Sequence, residues 1–156
     1  MKTRIALTVM VCLGWALCAE ADIAVYNAAN DFSLAGNPNG AWRYGWCDPT
    51  LGPSTFTLYT TPTNWGGRDP SVPGIDTWTW SGGYDSSITH NGTAESLSVF
   101  GYTWEPNALG LDSYGGSSPM VRWTAPQAGT VDIAATFTNM GSTSTSVYVF
   151  KNYAIE

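Results

Sequence analysis

Basic residues, histidine and cysteine are all scarce in this chain, and each scarcity removes a class of function. Six Lys and Arg stand against twelve Asp and Glu, for a formal charge of −6. Nucleic acids and anionic lipid surfaces both demand basic patches, so neither fits as a partner. A strongly acidic polysaccharide would need bridging cations, whereas neutral glycans face no such barrier. The lone histidine, His90, cannot with Cys47 supply the N and S ligands that zinc requires. A Ser-His-Asp triad through His90 would lack a nucleophile-elbow sequence, and His90 reads instead as a turn residue. Helical periodicity is missing as well. Gly, Pro, Asn, Ser and Thr recur every few residues, and no window of a dozen carries a 3.6-residue apolar period.

What is present begins with an export signal. Lys2 and Arg4 precede an uncharged apolar run from Ile5 to Cys18, and Ala19-Glu20-Ala21 supplies the small-x-small pattern of a cleavage site. Residues 1–21 are expected to be removed as a signal peptide, since the run falls short of the roughly 20 residues that span a bilayer. Val11 and Leu17 precede Cys12 and Cys18, where a lipoprotein would carry small residues. The mature chain, residues 22–156, is then a secreted or periplasmic domain with no membrane insertion. It keeps four basic residues (Arg43, Arg68, Arg122, Lys151) and one cysteine, Cys47. An internal disulfide is excluded, so packing must hold the domain together, and Cys47 is expected to be a buried thiol. A start at Asp22 also excludes a copper site built on an N-terminal histidine.

The mature chain reads as one all-β domain. Short alternating runs occur at Thr55–Tyr59, Thr77–Trp80, Leu97–Phe100, Met120–Trp123, Val131–Ala134 and Ser146–Phe150, each rich in β-branched or aromatic residues and bounded by turn-formers. Many short strands with Gly and Pro between them point to an antiparallel β-sandwich of jelly-roll type. Long loops are expected from Pro62 to Ile75 and from Gly110 to Ser118, and long loops on a rigid sandwich are where binding sites usually lie. The run at Val147–Lys151 stops close to Glu156. It is therefore expected to be an edge strand, or the sandwich to lack its last strands.

The stretch Asn30-Asp31-Phe32-Ser33, with Asn37-Pro38-Asn39-Gly40-Ala41-Trp42-Arg43-Tyr44-Gly45-Trp46, resembles the opening of a secreted bacterial β-sandwich module. That module occurs in exoproteins, sometimes ahead of a sorting tail of the PEP-CTERM type. Trp104-Glu105-Pro106 and Val121-Arg122-Trp123-Thr124-Ala125-Pro126, followed by Ala128-Gly129, look like its middle. The resemblance spans about residues 27 to 151. It implies a jelly-roll-like sandwich similar in shape to carbohydrate-binding modules, without bringing an activity. This chain departs from the pattern in lacking further strands with a Gly-Asp segment and in lacking the sorting tail.

Aromatic residues are the strongest functional signal. Seven tryptophans and eight tyrosines remain after residue 21. Sugar rings present apolar C–H faces that stack on flat aromatic surfaces, while polar neighbours take the hydroxyls. Trp78 and Trp80 lie two apart and share one strand face, which is either the sandwich interior or a binding platform. Trp65, Tyr84 and Tyr114 sit beside glycines in loops and are candidates for exposed stacking, with Arg68 as a polar neighbour. Trp42, Trp46 and Trp123 are expected to be structural. The leading expectation is a non-catalytic module binding a polysaccharide or surface glycan through Trp65, Arg68, Trp78, Trp80, Tyr84 and Tyr114.

Two alternatives remain at this stage. A small polysaccharide-cleaving enzyme would need two carboxylates about 5 to 10 Å apart, for which Asp85 and Asp112 are the candidates. A structural or adhesive surface module would use its aromatics only as core. No cofactor is expected, except that oxygen ligands such as Asp76 and Asp112 leave a structural Ca²⁺ open. Asn91-Gly92-Thr93 matches a glycosylation acceptor.

Overall fold

A strand with one apolar face must bury that face, and this chain does so with two antiparallel sheets laid face to face. The computed structural model describes residues 24–64, 74–80, 86–99, 101–140, 145–152 and 154–155. The first sheet has the order β2-β1-β9, formed by Thr57–Leu58, Trp42–Cys47 and Ser118–Trp123. The second has the order β3-β4-β5-β8, formed by Thr61–Asn64, Ile75–Thr79, Ser87–Asn91 and Leu109–Asp112. Two hairpins complete the described strands: β6 (Leu97–Val99) with β7 (Tyr102–Trp104), and β10 (Phe150–Lys151) with β11 (Ala154–Ile155). The expected all-β sandwich is the observed architecture.

Alternation along β1 turns Trp42, Tyr44 and Trp46 toward the second sheet. Tyr44 and Tyr59 meet Trp78 of β4 and Ile88 of β5, with Phe32, Leu34, Leu109 and Val121 packed around them. The segment before β1 seals one side of this core. Phe32 packs at 5.0 Å from the rings of both Tyr44 and His90, and the Ser33 carbonyl accepts a 2.9 Å hydrogen bond from Trp78 Nε1. Asn37 donates from Nδ2 to the carbonyls of Tyr44 and Tyr59 at 2.6 and 2.9 Å, and its Oδ1 accepts from the Tyr44 amide. Its side chain thereby meets backbone groups of both chain segments.

The second sheet is covered on its other face too. Val99 and Trp104 of the β6–β7 hairpin pack on Ile75, and Trp104 Nε1 donates to Thr89 Oγ1 at 2.8 Å. Every residue of β5 is consequently buried, including Ser87, Thr89, His90 and Asn91. Asn91 is fully enclosed and donates to the carbonyls of Glu95, Trp104 and Glu105. His90 Nε2 pairs with Asn107 Oδ1 at 2.9 Å, so it joins a strand to a turn rather than serving a turn of its own. Cys47 is a buried free thiol, as expected, and burial, followed by the nearby Asp48 charge, pushes its pKa up.

Several expected elements differ. No strand forms at Val131–Ala134, and of Ser146–Phe150 only Phe150 is in a strand. Val131 and Ile133 are 51 and 73 % exposed, and β9 pairs only with β1 among the described strands. Alternation gives a segment strand character, but a neighbouring backbone is what makes it a strand. The long loop expected over Gly110–Ser118 is largely ordered. β8 runs to Asp112, and Tyr114 and Ser117 bridge across Gly115 and Gly116, both with positive φ, the pattern of a primed hairpin turn. Among the described residues no helix is long and apolar enough to cross a membrane.

Two measurements check this packing. An alanine at Gly110 would place its Cβ 2.6 Å from Trp104 Nε1, and urea denaturation is expected to show a loss of about 1–3 kcal/mol. Burial, and secondarily the Asp31 charge, push the Tyr44 phenol from 10.0 up to about 12. The folded state holds the neutral phenol, so this contribution to stability is intact below pH 10 and is lost as pH rises toward 12. Wild type is expected to lose more stability across that window than Tyr44→Phe, which keeps the ring and cannot ionise.

Candidate functional site

Where β1 ends, the inward row of aromatics runs out of sandwich. Trp46 is the last inward residue of β1, and Trp80 follows β4 on the same face as Trp78. Trp78 is 4 % exposed, yet Trp80, one step further along, is 54 % exposed. The two rim indoles stack at 4.9 Å with 26° between their planes. The Trp80 carbonyl accepts a 2.7 Å hydrogen bond from Thr61 Oγ1, which holds its backbone against β3.

The Gly115–Gly116 turn that joins β8 to β9 crosses the same end and brings Tyr114 with it. A cleft of about 130 Å³ results, lined among the described residues by Trp46, Tyr59, Trp80, Ser86, Tyr114, Gly115 and Ser117. Tyr114 is 60 % exposed. Below these rings, the hydroxyls of Tyr59 and Ser86 are hydrogen-bonded to each other. Trp46 Nε1 is buried and has no hydrogen-bond partner among the described residues. The cleft is smaller than the roughly 300–1,000 Å³ of pockets that engulf a ligand. It suits contact with one flat ring from the side. No carboxylate lines it among the described residues, and Asp85, next to the lining residue Ser86, lies outside them.

The structure sorts the residues singled out by the sequence. Trp80 and Tyr114 are brought to one cleft. Trp78, named with Trp80 as a ligand-binding candidate on a face that read as either interior or platform, is core, because its strand position lies between the sheets and its indole N–H is taken by Ser33. Trp65, Arg68, Tyr84 and Asp85 lie outside the described residues. Asp76 and Asp112 do not come together. Asp76 pairs in register with His90 and Asp112 with Ser87, which puts the two carboxylates on opposite faces of the sheet and two strands apart. Asp76 accepts instead from Asn64 Nδ2 at 2.7 Å. Among the described residues no group of three or more His, Cys, Asp or Glu is placed to hold a metal ion.

Asp31 and Asp48 each brace a local turn, Asp31 accepting from the Asn27 amide. Asp48 accepts from the Thr50 amide and hydroxyl at 2.7 and 2.6 Å, and these hydrogen bonds hold its carboxyl below the usual range. The glycosylation motif is closed in the folded protein, since the Asn91 amide nitrogen is buried and its two N–H groups are shared among three carbonyls.

Trp46, Tyr59, Ser86 and Ser117 belong to the cleft and were not singled out for it. The signal for Trp46 was in the alternation, since it faces the same way as Trp42 and Tyr44 and is the last to do so. No protein-family model matches the chain, no curated protein matches it, and no solved structure matches its fold.

The contrast between the neighbouring tryptophans is directly measurable. Trp78→Ala is expected to cost about 3–5 kcal/mol in urea denaturation, whereas Trp80→Ala gives up a rim stack of about 1 kcal/mol and leaves the protein folded.

Proposed function

We propose that this chain is an exported, non-catalytic module that binds a neutral glycan at the Trp46–Trp80 cleft. One observation carries the reading. An indole half-open to solvent is braced from behind by a second indole, and a half-open tyrosine stands in the same cleft. Stacking behind Trp80 fixes its ring before any ligand arrives, so little ordering is left for binding to oppose. The exposed ring faces suit the C–H faces of a sugar, and the hydroxyl of Ser117 with the backbone of Gly115 suits its hydroxyl groups.

The charge of the chain favours a glycan without carboxylate or sulfate groups. Export rests on the Lys2 and Arg4 start, the apolar run and the Ala19-Glu20-Ala21 site. The braced, half-open rings favour this reading over a polysaccharide-cleaving enzyme, which sugar release in the test below would reveal.

The test is retention of the purified protein on a panel of insoluble neutral polysaccharides, with released reducing sugar assayed in the same mixtures. Wild type is expected to be retained without release. Trp80→Ala and Tyr114→Ala are each expected to weaken retention about tenfold, the equivalent of about 1.4 kcal/mol, while remaining folded. Release of sugar, or equal retention of both variants and wild type, would overturn the reading.

A further inference from the structure

The aromatic row on β1 has another end. Trp42 is the first inward residue of that strand, four positions from Trp46, which sets the two about 13 Å apart along the sheet. Tyr44, fully buried, lies between them. At the Trp42 end a second cleft of about 260 Å³ is lined by Tyr26, Asp31, Asn39, Gly40, Ala41 and Trp42.

Three features of this cleft are built rather than incidental. Tyr26 leans on Trp123, the cross-strand partner of Trp42, with ring centroids 5.5 Å apart, and stays 40 % exposed. Asp31 receives two donors on a single oxygen: Oδ2 accepts from Trp42 Nε1 at 2.9 Å and from the Asn27 amide at 3.1 Å. Its other oxygen, Oδ1, accepts nothing from the described residues. The Asp31 backbone is itself held, its amide donating to the Asn27 carbonyl at 2.8 Å and its carbonyl accepting from Asn39 Nδ2. A carboxylate fixed in orientation, with one oxygen unspent beside a braced and half-open ring, forms a recognition arrangement. The ring takes an apolar face, and the oxygen takes a hydroxyl proton at that face's edge. A negatively charged sugar would be repelled by Asp31, so the class this cleft takes is a neutral one.

We propose that the Tyr26–Asp31 cleft is a second sugar site, binding one neutral sugar ring against Tyr26 with a hydroxyl on Asp31. Its ligand class follows the reading of the Trp80 cleft, and its place rests on its own geometry. With sites at both ends of β1, the protein can hold two glycan chains, or two stretches of one chain. On a solid polysaccharide the second contact then forms at high effective concentration.

Indole N–H signals distinguish the two sites in ¹⁵N spectra, because Trp46 and Trp80 report on one cleft and Trp42 and Trp123 on the other. The full-length mature protein would be titrated with cellohexaose, xylohexaose and mannohexaose. The expected result is saturable shifts in both pairs with at least one probe, the Trp42 and Trp123 shifts being lost in Tyr26→Ala while those of Trp46 and Trp80 persist. Shifts confined to Trp46 and Trp80 would overturn the second site and leave the first intact. Trp42 and Trp123 shifts that survive in Tyr26→Ala would overturn it as well, since they would be transmitted through the sheet. Shifts confined to Trp42 and Trp123 and lost in Tyr26→Ala would support the second site and remove the first. No response to any of the three probes would overturn both.

Discussion

Tyr44 stands at the point on which the two-sheet arrangement depends. Its ring is enclosed between β1 and the second sheet, its amide and carbonyl are both engaged by the Asn37 side chain, and its hydroxyl donates to the Ala28 carbonyl at 3.2 Å. One residue therefore ties the leading segment, the first sheet and the core together. Because Tyr44 faces inward, alternation forces Trp42 and Trp46 inward too, one toward each end of the sandwich. The same geometric rule that fills the core also delivers an aromatic ring to each of the two clefts.

The second sheet has a different problem, since both of its faces are covered. Its β5 strand is buried throughout yet carries Ser87, Thr89, His90 and Asn91. A buried polar group is costly unless it is hydrogen-bonded. The fold meets most of that demand with specific partners: Trp104 for Thr89, Asn107 for His90, and three carbonyls for Asn91. Gly110 is the spatial condition for the first of these, because the Trp104 indole lies where a side chain would stand. The hydroxyls of Thr77 and Thr79 on the neighbouring strand are buried with no partner among the described residues.

The all-β class was legible in the sequence because short runs and turn-formers alternate along most of it. The shared face of Trp78 and Trp80 was legible for the same reason. What alternation could not say is where β4 stops relative to the opposing sheet, and that boundary alone makes one indole core and the other rim. β5 escaped notice because Ser-Ile-Thr-His-Asn carries no apolar period, being covered on both sides by different partners. Val131–Ala134 misled in the opposite sense, with a strand-like pattern and no strand paired with it among the described residues. The closure of the Tyr114 turn onto the Trp46 end depends on β8 and β9 lying in different sheets, which no local pattern encodes.

The enclosed Asn91 side chain sets an order of events for the chain during its synthesis. In a host that attaches glycans to Asn-x-Thr sequences, the acceptor is open only before β5 has been covered by the β6–β7 hairpin. A sugar added in that interval would occupy the space of three carbonyl contacts and block the hairpin from docking. Folding and modification are thus competitors for one amide nitrogen, and a glycan on Asn91 would mark a molecule that lost the race to fold. A host without that modification removes the competition.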